Sequence, residues 1–96
     1  MLYGILTSNR IIFDQYVREL VSSISTDTKV RLVNGEYKVL TDRIFYISSL
    51  GTLIGRNNVT IFIHPSVYSD SSRNDIESII NYSRGRGFKI INLEEE

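Results

Sequence analysis

Apolar residues run along this chain in two rhythms, and the alternation between them outlines the fold. Leu2 to Thr7 (LYGILT) is a short, nearly continuous apolar run that ends in a small polar residue, the pattern of a strand buried on both faces. It is the candidate central strand. From Ile12 the spacing changes: Ile12, Phe13, Tyr16, Val17, Leu20, Val21 and Ile24 recur every three or four positions, as on one side of an amphipathic helix. Thr7, Ser8 and Asn9 stand before it as N-cap candidates, and the SSISTDT stretch ends it.

Lys29 to Leu40 (KVRLVNGEYKVL) places Asn34-Gly35 between two β-rich arms, and this dipeptide supplies the positive φ values of a tight hairpin turn. In the first arm Val30 and Leu32 alternate with Lys29, Arg31 and Val33, so one face should be solvated. Arg43 to Ser49 (RIFYISS) and Val59 to His64 (VTIFIH) are expected interior strands, each ending in polar residues. The segment between them, LGTLIGRNN, has room for about one helical turn or a loop packed by Leu50, Leu53 and Ile54. A second helix is expected with Ser71 or Ser72 as cap, Asp75 and Glu77 in its first turn, and Ile76, Ile79 and Ile80 as its buried stripe. Arg84, Gly85, Arg86 and Gly87 stop it, and Phe88 to Leu93 is the last strand.

This order predicts an α/β fold: a mainly parallel sheet of about five to six strands, two main helices and an antiparallel β-hairpin at one edge. The 96 residues allow a single α/β domain, 1–96, and no second core. Composition adds exclusions. The absence of cysteine removes disulfides, thiolate metal sites and thiol nucleophiles, and sets a cytoplasmic location as the expectation. The N-terminal apolar run lacks a basic leader and is too short for a signal or a membrane span, so no membrane partner is expected.

Eleven basic and eleven acidic residues cancel, which leaves no global field to recruit nucleic acid. Three of the acids are Glu94, Glu95 and Glu96, so the remaining body is mildly basic beside what reads as a solvated acidic terminus. Fourteen isoleucines and no alanine hint at an AT-rich genome, a bias common in phages, plasmids and low-GC bacteria.

In a parallel α/β sheet, ligands bind beyond the carboxyl ends of the strands. The candidates there are Thr7, Ser8, Asn9 and Arg10 after the first strand, Ser48 and Ser49 after RIFYI, and His64, Pro65 and Ser66 after VTIFI. Each also has a structural reading. His64, the only histidine, is a candidate general base or an imidazole satisfying backbone groups before Pro65. GILTSNR occupies the place of a phosphate loop but has neither a glycine run nor lysine followed by serine or threonine, so Asn9 and Arg10 are left as anion ligands or as helix caps. No G-x-S-x-G elbow exists, and Asp14, Asp27, Asp42, Asp70 and Asp75 form no catalytic pair, so no catalytic residue, metal site or cofactor is expected. Arg56, Arg84, Arg86 and Lys89 are nucleic-acid candidates, although RGRG reads first as a helix C-cap whose charges favour the dipole. Tyr37, Tyr46, Tyr68 and Tyr82 are candidate interface anchors.

Leu53, Gly55 and Arg56, then Val59 to Ile63, then a helix to Gly87 and Phe88 to Ile91, form a pattern that resembles small Rossmann-like proteins encoded by phages and mobile elements. The resemblance covers the second half only. It implies a nucleotide-free fold whose role is to bind a host or phage protein in the host cytoplasm, and it transfers no catalytic residue. Three functions are therefore carried forward: a non-enzymatic protein that binds and inhibits a partner such as a host enzyme or defence component, a nucleic-acid-binding accessory protein, and a small-molecule or nucleotide-binding domain. The hairpin is expected either to end the sheet as an exposed edge, with Lys29, Arg31, Glu36 and Lys38 as charges against aggregation, or to pair with a second copy in a homo-oligomer.

Overall fold

The computed structural model describes residues 1–22, 30–69 and 75–93. Six strands form one sheet in the order β2-β3-β4-β1-β5-β6. They are β1 (Leu2–Leu6), β2 (Val30–Val33), β3 (Glu36–Val39), β4 (Asp42–Tyr46), β5 (Val59–Ile63) and β6 (Lys89–Asn92). The helices are α1 (Arg10–Ser22), a single turn α2 (Ser66–Ser69) and α3 (Ile76–Gly85), with a 3₁₀ turn at Leu50–Thr52.

The fold is α/β as expected, but the sheet is mixed and not mainly parallel. β1 pairs in parallel with β4 and β5, and β5 with β6, whereas β2-β3 and β3-β4 are antiparallel. The expected hairpin stands at one edge, and its second arm turns again at Leu40-Thr41 to run into β4. One side of the sheet is thus a three-stranded antiparallel meander. Two main helices are present, and α2 adds a third short one. Asp75 is the N-cap of α3. Ile24, Asp27, Lys29, Asp70, Ser71, Ser72, Arg73 and the acidic terminus lie outside the described residues.

Successive strand residues point to opposite faces, and the core divides accordingly. On one face Ile5, Val39 and Ile44 pack with Phe13 and Val17 of α1. On the other, Leu6, Phe45, Ile47, Val59, Ile61 and Ile63 pack with Leu53, Val67, Ile79 and Phe88. Ile79 of the expected helix stripe is fully buried, with Ile76 and Ile80 packed beside it. Leu53 is likewise buried, while Ile54 is 62% exposed, contrary to its expected packing role.

Phe45 is buried in this second cluster beneath a charged side chain. Arg56 supplies it, its guanidinium 4.0 Å from the ring centroid, donating to Glu36 Oε1 at 2.6 Å and to the Thr52 carbonyl at 2.8 Å. Gly4 is required for a related reason: a Cβ there would stand 2.9 Å from Phe45 Cζ and 3.0 Å from Ile47 Cδ1.

The chain leaves β1 toward β4 and leaves β5 toward β6, so its direction reverses between the adjacent strands β1 and β5. That reversal is where open α/β sheets form a crevice.

Candidate functional site

Among the described residues, the polar groups at the β1/β5 boundary are spent on one another. His64 N donates to the Leu6 carbonyl at 2.9 Å, carrying the strand pairing one residue past β5. Beyond it, Ser8 N donates to Ser66 Oγ at 3.1 Å, which ties the first turn after β1 to the start of α2. Thr7 is fully buried and its hydroxyl donates to the Asn9 carbonyl at 2.7 Å. Asn9 caps α1, its Oδ1 accepting from Ile12 N at 2.9 Å. An anion would have to displace that side chain.

Ser8 is 6% exposed, and its Oγ is buried with no hydrogen-bond partner among the described residues. A buried hydroxyl left unpaired costs about 1 to 3 kcal/mol. It lies under the clamp, where no solvent reaches it.

His64 is drawn into the same closure. Its Nδ1 accepts from Ser66 N at 3.1 Å, so the neutral ring carries its proton on Nε2. In that tautomer neither ring nitrogen keeps a lone pair for abstracting a substrate proton. The ring meets Tyr16 edge-on at 5.6 Å, and with Ile12, Gln15, Tyr16 and Glu19 it lines a shallow depression of about 270 Å³ beside α1. The Tyr16 hydroxyl is held above the usual phenol range, first by burial and then by the charge of Glu19.

Ser48 belongs to another corner. β4 lies on the side of β1 away from β5, so two strand spacings, about 10 Å, separate its end from that of β5. The Ser48 hydroxyl pairs with Thr52 Oγ1 at 2.9 Å, and Ser49 N donates to the same oxygen at 3.4 Å. These serines shape the 3₁₀ turn. The structure therefore gathers Thr7, Ser8, Asn9, His64 and Ser66 and leaves Ser48 apart.

The cations are also committed. Arg10 reaches away from the crevice to the hairpin, donating to the Gly35 carbonyl at 3.0 Å and pairing with Asp14 at 3.3 Å. Tyr37 donates to the same Asp14 oxygen at 2.8 Å, completing a latch between α1 and the hairpin. Burial raises the Tyr37 pKa first, then its hydrogen bond to Asp14 and the charge of that carboxylate; Arg18 and Arg10 oppose the shift. Arg56 is the lid over Phe45, and Arg86 binds Asn57 Oδ1 and the Arg56 carbonyl. Of the four nucleic-acid candidates, Arg84 and Lys89 are exposed and hold no such contact among the described residues.

Sequence reasoning missed a small apolar groove on the α1 face. Among the described residues one helix covers this face, and beside it Tyr3, Ile5, Tyr16, Leu20, Ile44 and Phe62 line an apolar groove of about 60 Å³. Tyr3 and Phe62 stack within it, with ring centroids 5.8 Å apart. The alternation of Tyr3 with Leu2 and of Phe62 with Ile61 signals two-sided burial, but not that a single helix would have to cover one side. Of the tyrosines proposed as anchors, Tyr68 is 67% exposed, while Tyr37, Tyr46 and Tyr82 pack against the core.

No group of three or more metal-ligating side chains and no helix long and apolar enough to cross a membrane occurs among the described residues. No family model, curated protein or solved structure matches the chain.

Proposed function

We propose that this chain is a non-enzymatic protein-binding domain of the kind that phages and mobile elements encode, acting by occupying a partner such as a host enzyme or defence component. One contrast carries the reading: the polar groups at the strand ends are spent on one another and leave only a shallow depression beside His64, whereas the groove beside α1 is lined by apolar side chains. A small molecule that used the Ser8 amide or His64 Nδ1 would have to break the Ser8–Ser66 or Ser66–His64 bond first. A partner's apolar side chain can enter the groove with no such cost. Phosphate binding is disfavoured by the engagement of Arg10, Arg56 and Arg86 within the fold.

The test is capture from lysate of a low-GC bacterial host, comparing the wild-type chain with Leu20→Glu. Leu20 is 37% exposed at the groove, so the substitution should leave the fold intact while placing a charge where the partner's apolar group would sit. One stoichiometric partner, lost with Leu20→Glu and kept with Arg84→Ala, is the expected result. Loss with Arg84→Ala instead, together with DNA binding that falls steeply as salt rises, would transfer the function to nucleic acid.

A further inference from the structure

The outer edge of the hairpin carries a second inference, independent of the function proposed above. β2 is the terminal strand of the sheet, and its residues pair with β3 as Val33↔Glu36, Leu32↔Tyr37, Arg31↔Lys38 and Val30↔Val39. In a hairpin closed by a two-residue turn, the pair flanking the turn exchanges both backbone hydrogen bonds, and bonded and non-bonded pairs then alternate. Val33 and Arg31 therefore spend their backbone groups on β3. Val30 and Leu32 direct theirs outward.

The next turn agrees with this assignment. Val39↔Asp42 flanks the Leu40-Thr41 turn and Tyr37↔Ile44 follows two residues on, so Tyr37 and Val39 bond to β4 and leave Glu36 and Lys38 to bond to β2. Leu32 thus offers a free N–H and C=O together with a side chain that is 60% exposed. The strand has no proline or lysine to blunt the edge, and Arg31 is its one charge.

We propose that this edge pairs with a second copy of the chain, antiparallel about a two-fold axis at Leu32. Two symmetric registers would match outward-facing backbone groups. An axis at Arg31 sets that guanidinium against its own copy, and like charges directly opposite destabilise a pair. An axis at Leu32 sets Leu32 against Leu32 and Arg31 against Val33, so no like charges meet. It also brings Leu32 of the second copy diagonal to Val30, which with Val17, Arg18, Val21, Ser22 and Tyr37 lines a depression of about 230 Å³. The product is a continuous sheet running through both copies.

Because the chain has no cysteine, a single introduced thiol reports the register. Bonded antiparallel partners have Cα atoms about 5.5 Å apart, within disulfide range. The mass of the full chain is measured by light scattering between about 10 μM and 1 mM, where weak interfaces assemble. The expected result is a rise to twice the monomer mass, loss of that rise in Leu32→Lys with an unchanged circular dichroism spectrum, and cross-linking of Leu32→Cys about tenfold faster than Arg31→Cys. A monomer mass throughout, a dimer that survives Leu32→Lys, or faster cross-linking at position 31 would each overturn the proposal. A partner capture that persists in a strictly monomeric chain would leave the protein-binding function standing without it.

Discussion

Two tight turns build the antiparallel side of the sheet, and they reach the same result with opposite chemistry. Asn34-Gly35 has φ values of 52° and 79°, in residues that tolerate the left-handed region. The turn after β3 begins with Leu40 at φ 58°, a branched apolar side chain in the same region and 82% exposed. The first turn is favoured by its own residues. The second is imposed by its surroundings: Asp42 beyond it binds the N-terminal ammonium at 2.9 Å, Arg43 N donates to the Met1 carbonyl at 2.9 Å, and Ile44 and Phe45 are buried in the core. Tertiary contacts therefore hold a strained turn that local preference would not form.

Substitutions at the two turns should separate these causes. Gly35→Val is expected to have the largest effect, a loss of about 2 kcal/mol in denaturant unfolding, because a β-branched residue at positive φ is strained in the native state. Its virtual Cβ lies 3.6 Å from the nearest Arg10 nitrogen, so strain and not collision is the cause. An unchanged midpoint would show that the first turn is also dictated from outside.

Asp14→Ala follows, at about 1 to 1.5 kcal/mol, since it removes the acceptor shared by Tyr37 and Arg10 while the exposed part of the ion pair adds little. A matching loss in Tyr37→Phe, not additive with Asp14→Ala in the double variant, would locate the energy in the latch. Leu40→Gly should stabilise by about 0.5 kcal/mol, the relief of strain exceeding the entropy gained by the unfolded chain. Destabilisation would mean that Leu40 makes contacts its exposure conceals.

The smallest effect is read spectroscopically. Tyr37 should ionise above the free phenol value of about 10, with Asp14→Asn moving it down but burial still holding it raised. Since the folded state favours the protonated phenol, this contribution to stability is fully present below the unfolded pKa and is lost as pH rises through the folded one. Phenolate absorbance, taken as the difference from Tyr37→Phe, measures it.

The same contrast explains what could be read in the amino-acid sequence. Asn34-Gly35 announced its hairpin, but Leu40-Thr41 contains no glycine, asparagine or proline, so nothing local indicated that β3 turns back into β4. The continuous apolar runs of β1, β4 and β5 marked the interior strands, and their polar ends located Thr7, Ser8 and His64 at one crevice. What closes that crevice was not legible, because Ser8 and Ser66 meet only through the pairing of β1 with β5. Arg56 gave no local sign of its place over Phe45 for the same reason.

The place of β1 between β4 and β5 also sets a timetable for synthesis. Its Leu2–Leu6 segment emerges first, yet β5, which completes its hydrogen bonding, ends only at Ile63. At a translation rate of roughly 5 to 20 residues per second, that interval lasts several seconds. Throughout it, this central strand lacks its β5 partner, while the two local hairpins can close in microseconds. Gly4, which the core needs for lack of a side chain, also lowers the β propensity of the waiting segment, and so makes it less adhesive to other nascent chains.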